Sequence, residues 1–416
     1  MARAPLKILI IGGGAGGLCL AQGLQRQEVS VEVFERDTTP TDRLQGYRLG
    51  LSPIGSRALR ACLPPERFSE LLASAAEPSR ALTFLDHRAR RLMCADLTRD
   101  LPDDPAERER PISRIALRRI LLEGLDDAVR FGRKFVAYEE GAGQVTAHFD
   151  DHSTATGDVL VGADGASSRV RAQLLPDAER RDTGLVIISG KVPLTPAVRA
   201  DVPPAFFLGP TLILGPRGTF MFANAVEYPD RPPAAPSSGE DEEYVMWGFS
   251  ARCEQLELGG DIDRADAETI KAAALAAMRG WSSTLTGMVE VTSNPIAFAA
   301  KTSVRLQPWP TRRVTLLGDA LHNMTPYRGM GANLALRDAA ALLEALVAAG
   351  DGSRLLIPAL SAYEAAMIDY GFAAVEASLS DMRRLHSQSP MSRALTKSAL
   401  RLADGVTPLQ AMFKAA

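Results

Sequence analysis

The stretch that decides the fold is LKILIIGGGAGGLCLAQGLQRQ, residues 6–27. It predicts a short β-strand, a glycine-rich turn and a helix, and residues 31–35 (VEVFE) predict a second strand that ends in an acid. Gly12, Gly14 and Gly17 match the pattern G-x-G-x-x-G in this strand–turn–helix context. The stretch therefore predicts the first βαβ unit of a Rossmann-type α/β domain.

Each glycine has its own physical role in binding a dinucleotide. Gly12 permits the tight turn, Gly14 lets the backbone reach a pyrophosphate, and Gly17 lets helix and strand pack closely. The helix N-terminus offers free N–H groups and a positive dipole end to the phosphates. Glu35, 18 residues after Gly17, is placed to accept hydrogen bonds from a ribose. The motif alone does not separate NAD from FAD, and a tight turn without a ligand is the alternative.

Composition limits the class of protein. A length of 416 residues predicts two domains, and 46% hydrophobic with 23% charged residues is typical of a soluble globular protein. The net charge of −3 gives no electrostatic reason to expect nucleic acid or an anionic membrane as a partner. The four cysteines are widely spaced and predict no metal site. We expect a reduced, cytoplasmic protein, since the glycines at 12–17 argue against reading the N-terminal apolar run as a signal peptide.

The arginines that follow the second strand are candidate contacts for an anion or a cofactor. Arg43 precedes a short extended piece around Tyr47–Leu51 and Arg48 lies within it, and surface arginines without a ligand are the alternative. Residues 112–125 (ISRIALRRILLEGL) have helical spacing, with Arg114 and Arg118 one turn apart on a common face.

A second motif, GDVLVGADGASSRVRAQL, occupies residues 157–174. It predicts a buried parallel strand that ends in Asp164, a turn at Gly165, and a helix with Ser167 or Ser168 as its N-cap. An acid at the carboxyl end of a strand lies where an open α/β sheet meets its ligand. The alternative is that Asp164 serves only the turn.

The pattern of apolar and polar residues changes between Thr183 and about Val304. Apolar or alternating segments separated by turn residues predict a mostly antiparallel sheet, inserted into the nucleotide-binding fold. Within it, residues 229–243 (PDRPPAAPSSGEDEE) predict a mobile loop.

The third motif, GDALHNMTPYRGMGANLALRDAAALLEAL, spans residues 318–346. An apolar strand ends in Asp319, and a glycine-rich loop then leads directly onto a helix. Pro326, Gly329 and Gly331 predict that this helix begins at about Asn333.

With these three motifs in this order, the sequence resembles the FAD-dependent monooxygenases of the p-hydroxybenzoate hydroxylase type. The resemblance covers nearly the whole chain to about residue 345. It implies an α/β fold with a Rossmann-type (GR2-like) FAD-binding domain, an inserted, mostly antiparallel β-sheet substrate domain, and C-terminal helices. The expected boundaries are 1–75, 105–182 and 303–349 for the FAD-binding domain, 76–104 and 183–302 for the substrate domain, and 350–416 for the helical segment.

The resemblance also implies roles for individual residues. Asp164 and Gly165 would support the pyrophosphate region and the nicotinamide, and Asp319 would bind the ribityl chain. The loop 326–332 would lie against the flavin ring, with backbone N–H groups at 331–333 facing negative charge on the reduced ring. The candidate cofactor-binding residues are Gly12, Gly14, Ala15, Gly17, Glu35, Arg36, Arg48, Arg114, Arg118, Asp164, Gly165, Asp319, Pro326, Gly329, Gly331, Ala332 and Asn333.

Candidates for catalysis are Arg48, His322 and Pro326. His322 could shuttle a proton, and a structural hydrogen bond is the alternative. Many relatives have a small residue after the proline, where this sequence has Tyr327 and Arg328, so a different neighbourhood beside the ring is expected.

The substrate is expected between the flavin ring and the sheet of the inserted domain. Candidate lining residues are Phe220, Phe222, Asn224, Trp247 and Phe249. Positions 220, 222 and 224 share one face of a strand. The alternative is that the aromatic residues form the core of that domain.

The activity that the resemblance implies is monooxygenation. NADPH or NADH would reduce bound FAD, O₂ would give a flavin C4a-hydroperoxide, and one oxygen atom would pass to an aromatic or polycyclic natural-product intermediate. No second G-x-G-x-x-G is present, as expected for a nicotinamide that binds transiently. Three alternatives stay open: an epoxidase, a Baeyer–Villiger-type oxygenase, or a flavin-bound ligand-binding protein without oxygenase activity. A monomer and a homodimer are equally compatible with the sequence.

Overall fold

The computed structural model describes residues 6–40, 48–99, 101–227, 243–256, 258, 262, 265–407 and 409–410. Arg43 and all of the expected mobile loop at 229–243 except Glu243 lie outside these residues. The chain divides into two compact units, and each is described by itself. The first comprises Met1–Ala75, Pro102–Arg181 and Thr302–Ser378, and the second comprises Ala76–Leu101, Asp182–Lys301 and Leu379–Ala416.

The strands, in chain order, are β1 Lys7–Ile11, β2 Ser30–Phe34, β3 Arg48–Leu51, β4 Ala81–Asp86, β5 Arg91–Asp96, β6 Arg110–Ser113, β7 Val129–Arg130, β8 Phe135–Glu140, β9 Val145–Phe149, β10 Thr154–Gly157, β11 Val159–Gly162, β12 Arg180–Pro193, β13 Thr211–Leu214, β14 Phe220–Val226, β15 Tyr244–Arg252, β16 Ile296–Ser303 and β17 Val314–Leu316. The α-helices are α1 Ala15–Arg26, α2 Pro53–Cys62, α3 Pro65–Ser74, α4 Arg114–Leu122, α5 Arg169–Leu174, α6 Pro196–Asp201, α7 Ala267–Ala277, α8 Ser283–Glu290, α9 Asp319–His322, α10 Gly331–Gly350, α11 Leu356–Leu385 and α12 Pro390–Ala403.

The first unit is built on a five-stranded sheet in the order β17-β11-β1-β2-β7. The central strand β1 pairs in parallel with β11 and β2, and Ile8, Leu9 and Ile10 in it are fully buried. Fully buried apolar strands of this kind are typical of parallel sheets covered on both faces. The Rossmann-type fold predicted from the first motif is therefore confirmed.

Helix α10 begins at Gly331, two residues before the position predicted from the sequence. Gly329 adopts the left-handed conformation with φ of 62° and ends the short 3-10 turn at Pro326–Arg328. The helix can therefore start immediately after Met330, because one left-handed residue is sufficient to redirect the chain. Gly331 itself has helical geometry and does not delay the start.

The second unit is built on a seven-stranded sheet in the order β16-β12-β15-β14-β13-β4-β5. The pairs β12–β15, β15–β14, β14–β13 and β4–β5 are antiparallel, and β13–β4 is parallel. Helices α7 and α8 pack on one face of this sheet, where they share an apolar core with β14 and β15. The mostly antiparallel sheet expected for the inserted segment is confirmed.

The C-terminal segment is helical and divides between the units. Residues up to Ser378 in α11 belong to the first unit, and residues from Leu379, including α12, belong to the second. Among the described residues, none of the helices combines the length and apolar character that crossing a membrane requires.

Candidate functional site

The glycine turn after β1 has the geometry that its sequence predicts. A Cβ atom on Gly12, whose φ is 110°, would lie 2.4 Å from the carbonyl oxygen of Ala163. A Cβ atom on Gly17 would lie 2.2 Å from the carbonyl oxygen of Gly12. At Gly14, in contrast, a Cβ atom would meet no described atom within 4 Å beyond its chain neighbours. Gly12 and Gly17 are therefore required by packing, whereas Gly14 borders open space next to Ala15, the first residue of α1.

Glu35 is buried at the end of β2, and its carboxylate is held by the backbone. Its Oε2 accepts a hydrogen bond from the N–H of Gly13 at 2.7 Å, and its Oε1 accepts one from the N–H of Asp37 at 2.9 Å. Each carboxylate oxygen has a second lone pair, so the group can still accept hydrogen bonds from a diol. The neighbouring Arg36 is exposed.

The two helical arginines have different environments. Arg118 donates hydrogen bonds to the carbonyl oxygens of Gly13 and Pro40, so its guanidinium supports the backbone of the glycine turn. Arg114 is exposed, and its positive charge favours a lower pKa of Asp319. Ser113 caps the helix that carries both arginines by accepting hydrogen bonds from the N–H groups of Ile115 and Ala116.

Asp164 has one engaged and one unengaged carboxylate oxygen. Its Oδ2 accepts hydrogen bonds from the N–H groups of Arg169 at 2.7 Å and Val170 at 3.3 Å, at the start of α5. Its Oδ1 is buried and has no hydrogen-bond partner among the residues that the structure describes. Gly165 turns the chain with φ of 75°, and Ser168 is the N-cap of α5. A buried carboxylate oxygen without a partner is costly, so this atom is available to accept a hydrogen bond from a hydroxyl or N–H group, such as a ligand can supply.

Asp319 presents its carboxyl group at an opening in the first unit. It is exposed, while Gly318 and Ala320 on either side are buried. The surrounding protein raises the pKa of Asp319, chiefly by desolvation, although nearby His322 and Arg114 act in the opposite direction. The carboxyl group of Asp319 is nonetheless accessible to solvent. Such a group is well placed to accept hydrogen bonds from a polyol chain.

His322 does not face this opening. It is fully buried, and its Nε2–H donates to Oδ2 of Asp338 at 2.6 Å. The same Asp338 oxygen accepts the N–H of Gly318 at 2.7 Å, and Oδ1 accepts the hydroxyl of Tyr370 at 2.6 Å. Of the two alternatives for His322, the structure favours the structural hydrogen bond, because a side chain without exposed surface cannot meet a substrate.

Asp338 was missed in the sequence. Its signal is the spacing of Leu334, Asp338 and Leu342, which places an acid on the apolar face of α10, and all three residues are buried. A charged residue at a core position of a helix indicates a buried polar partner, here His322 and the N–H of Gly318.

The predicted loop at 326–332 contains the start of α10, because Gly331 and Ala332 are already the first two residues of the helix. The helix has no hydrogen bond from a capping side chain among the described residues, and Gly331 and Ala332 are half-buried. Asn333 is buried, and its side chain binds the backbone of Gly50 and Ser52. Its backbone, and not its amide group, is therefore the part that can face a ligand. Arg48 lies buried on β3, opposite Ser113 of β6.

In the second unit, the sheet divides the five predicted substrate residues between its two faces. Residues paired directly across an antiparallel ladder share a face, and Trp247 pairs with Ala223 while Phe249 pairs with Met221. All four of these residues belong to the core beneath α7 and α8. Trp247 also donates its Nε1–H to Oγ1 of Thr292 at 3.0 Å.

The prediction that Trp247 and Phe249 line a substrate site is therefore wrong, and the alternative, a core role, is correct for these two. Phe220, Phe222 and Asn224 lie on the opposite face of the sheet, together with Met246, Gly248 and Ser250. Of the three, only Phe222 is half-buried, whereas Phe220 and Asn224 are buried.

The features of the first unit fit FAD. The turn at Gly14 is open to a pyrophosphate, and Glu35 keeps lone pairs for a ribose. Asp164 offers an unsatisfied oxygen, and Asp319 offers an accessible carboxyl group. The uncapped start of α10 adds N–H donors with a positive dipole end, which suits a flavin that becomes negative on reduction.

Comparison with known proteins agrees with this assignment. A family model described as an FAD binding domain matches residues 112–366, more than half of the chain. A second model, a Rossmann-like NAD(P)-binding domain, matches residues 10–61.

Individual relatives carry the names of monooxygenases. A dual O-methyltransferase/FAD-dependent monooxygenase of Phaeosphaeria nodorum is 33% identical over 82% of this chain and 40% of its own length. The chain thus spans about two fifths of that relative. A 3-amino-4-hydroxybenzoate 2-monooxygenase of Streptomyces platensis is 31% identical over 86% of this chain and 83% of that protein.

The solved structures lead to the same family. A Photorhabdus luminescens protein described as an FAD-containing monooxygenase superposes with a TM-score of 0.81 at 32% identity, covering 92% of this chain and 98% of that one. The chain belongs to the family of FAD-dependent monooxygenases of the p-hydroxybenzoate hydroxylase type.

Proposed function

We propose that this protein is an NAD(P)H-dependent monooxygenase that hydroxylates an aromatic or polycyclic small molecule. In the net reaction the substrate C–H, O₂, NAD(P)H and a proton give the substrate C–OH, NAD(P)⁺ and water. When bound, FAD would supply the redox chemistry for hydride transfer from the nicotinamide and for the transfer of one oxygen atom from O₂ to the substrate.

The observation that carries this proposal is the buried Oδ1 of Asp164, which has no hydrogen-bond partner among the described residues. The same unit presents the glycine turn, Asp319 and a start of α10 that no described side chain caps. We assign the glycine turn and Glu35 to binding the adenosine half of the cofactor. Asp164 and Asp319 hold its central part by accepting hydrogen bonds. The N-terminus of α10 would stabilise negative charge on the reduced ring.

The substrate class follows from the second unit and from relatives. Phe222, Met246 and Gly248 give one face of its sheet a half-buried, mainly apolar surface, which suits an aromatic ring. The Streptomyces relative carries the name of an aminohydroxybenzoate monooxygenase, and the Phaeosphaeria relative that of a dual O-methyltransferase/FAD-dependent monooxygenase. We infer an aromatic substrate from a biosynthetic pathway.

The test is the absorption spectrum of the purified protein under anaerobic conditions, before and after adding NADPH or NADH. We expect a two-band flavin spectrum that bleaches slowly with the nicotinamide alone and faster with an aromatic ligand, for which 3-amino-4-hydroxybenzoate is a first choice. Protein stripped of flavin is the control and should show no change at these wavelengths.

Two outcomes would contradict the proposal. A bound flavin that neither nicotinamide bleaches, with or without ligand, would favour a flavin-bound ligand-binding protein. A colourless protein that takes up no added FAD would remove the basis for any flavin-dependent activity.

A further inference from the structure

One row of residues runs across the sheet of the second unit and is left partly open. Ser189, Gly248, Phe222 and Leu212 are paired in this order across the neighbouring strands β12, β15, β14 and β13. All four are half-buried. Because adjacent strands lie about 4.8 Å apart, the row spans ~14 Å, which accommodates a linear system of three fused aromatic rings.

The middle of this row is a recess. A Cβ atom on Gly248 would meet only the Oγ of Ser189, at 3.5 Å, among the described atoms beyond its chain neighbours. Gly190, the next residue of β12, points to the other face, where a Cβ atom would lie 2.7 Å from both Trp247 and Thr292. Side chains thus pack closely against one face of the sheet at this point, whereas the other face has space for a flat group.

The adjacent row closes one side of the recess. Ile187, Ser250, Phe220 and Leu214 are paired across the same strands, and all are buried. His386 packs edge-on against Phe220, with the ring centroids 6.0 Å apart, and binds the Oγ of Ser250 at 3.1 Å. A fixed wall on this side favours a rigid, flat occupant over a flexible one.

The chemistry of the row is asymmetric. Phe222 and Leu212 are apolar, whereas Ser189 places a hydroxyl group at the opposite end and beside the recess. An aromatic occupant with an oxygen substituent at one end satisfies both features, because the rings cover the apolar part and the oxygen binds the serine.

We propose that this row binds a flat, fused-ring aromatic substrate of about three rings, with its oxygen substituent at Ser189, and that Gly248 determines the largest ring system the protein accepts. This inference rests on the proposed function, since it names the substrate class of the same enzyme. A side chain at 248 would fill the recess and lift a long ring system from the sheet, while a single ring could still bind beside it.

The experiment is isothermal titration of the FAD-loaded protein with 2-hydroxybenzoate, 3-hydroxy-2-naphthoate and 3-hydroxyanthracene-2-carboxylate. We expect each added ring to lower the Kd by roughly tenfold, from the additional apolar area that it buries. Gly248→Leu should raise the Kd of the three-ring compound at least ~10-fold and that of the one-ring compound less than ~3-fold. The control is Gly287→Leu on α8, where a Cβ atom would meet no described atom within 4 Å.

An unchanged three-ring Kd in Gly248→Leu, at an unchanged melting temperature, would overturn the proposal, as would a wild-type Kd that is independent of ring number. If Gly248→Leu melts at a lower temperature, Gly248→Ala decides, because its methyl group makes only an ordinary contact with Ser189. If Gly248→Ala raises the Kd of the three-ring compound by about 3-fold relative to the Kd of the one-ring compound, the proposal is supported. If the two Kd values change equally, the proposal is overturned. Titration needs no turnover, so ring-dependent binding without NAD(P)H oxidation would reject the proposed function and still support a site for fused-ring aromatic ligands.

Discussion

The side-chain Oδ1 of Asn333 accepts a hydrogen bond from the backbone N–H of Ser52 at 2.9 Å, across 281 positions of sequence. Its Nδ2–H donates to the carbonyl oxygen of Gly50 at 2.8 Å. The amide group thus pairs with one acceptor and one donor of this backbone segment, as a neighbouring strand would. It ties the first turn of α10 to the junction between β3 and α2, and a Cβ atom on Gly55 would meet its Oδ1 at 2.3 Å.

Asn333→Asp should therefore lower both stability and FAD affinity. The change removes the donor to Gly50 and places a carboxylate beside that carbonyl oxygen, which should cost about 1–3 kcal/mol of unfolding free energy. Urea denaturation of the apoprotein and titration with FAD measure the two effects. Gln25→Glu is the matched control, because Gln25 also donates to a backbone carbonyl, that of Gly124, but at an exposed position. Equal losses in the two variants would contradict a special role for Asn333.

Gly14 should be tolerant of alanine in folding and intolerant in cofactor binding. Its φ is −77°, which any residue adopts, and a Cβ atom there would meet no described atom within 4 Å beyond its chain neighbours. We expect Gly14→Ala to change the unfolding free energy of the apoprotein by less than ~1 kcal/mol, and to raise the Kd for FAD at least ~10-fold by blocking close approach. Gly17→Ala is the contrasting variant and should destabilise the apoprotein itself. Wild-type FAD affinity in Gly14→Ala would show that the pyrophosphate does not approach this residue.

The first unit was largely predictable because its signals are local. The roles of Gly12 and Gly17 follow from a motif of six residues, and the cap at Ser168 is one of the two positions that the polar signal before α5 predicts. The partners of Asn333 and His322 were not predictable in this way. Ser52 is 281 positions from Asn333, and such contacts depend on tertiary packing that no local pattern encodes.

The faces of the second sheet show the same limit. Within β14 the alternation is readable, and residues 220, 222 and 224 do share a face. Whether Trp247 joins that face depends on the register between β14 and β15, and a shift of one residue moves every side chain to the other face. The sequence between the two strands contains 229–243, whose length and composition define no tight turn to fix the register.

This assignment of faces can be tested with one pair of variants. Trp247→Phe removes a buried hydrogen bond to Thr292 and part of the core, so it should lower the unfolding free energy by about 1–3 kcal/mol without changing the binding of an aromatic ligand. Phe222→Ala should do the reverse, raising the Kd of 3-hydroxy-2-naphthoate by roughly 10-fold with a smaller loss of stability. Denaturation and calorimetry on both variants give the comparison. The opposite pattern would mean that the substrate lies on the face covered by α7 and α8.

The buried pair of His322 and Asp338 should make stability decline at alkaline pH. Burial disfavours the imidazolium, but the negative charge of Asp338 and its hydrogen bond outweigh this effect and raise the pKa of His322 above its ordinary value of 6.5. A raised folded-state pKa gives a contribution that is complete below pH 6.5 and is lost as the pH rises through the folded-state value. Urea denaturation from pH 6 to 9 should show this decline in the wild type and a smaller one in His322→Asn. If the unfolding free energies of the two proteins change in parallel from pH 6 to 9, His322 is neutral over that whole range.

His386 should make the stability of the fold decline at acid pH, whereas His322 makes it decline at alkaline pH. Burial lowers its pKa to about 4, and the charge of Arg252 adds to this, although the hydrogen bond to Gly218 opposes it. A neutral ring fits its contacts, because Nδ1–H donates to the carbonyl oxygen of Gly218 at 2.6 Å and Nε2 can accept the hydroxyl of Ser250. The unfolded chain binds a proton near pH 6.5 and the folded chain does not, so stability is complete above pH 6.5 and falls as the pH drops toward 4. At 1.36 kcal/mol per pKa unit, the full loss is about 3 kcal/mol.

The measurement is the difference in unfolding free energy between the wild type and His386→Gln, followed from pH 7.5 to 4. Carboxylates contribute equally to the pH dependence of both proteins and cancel in the difference. The difference therefore reports the contribution of His386 alone. We expect the variant to be less stable at pH 7.5, since it disturbs the contacts to Gly218 and Ser250, and the gap to narrow below pH 6.5. The exposed His152→Gln is the control and should produce no such convergence. A gap that stays constant down to pH 4 would mean that His386 accepts a proton in the folded protein as readily as in the unfolded chain.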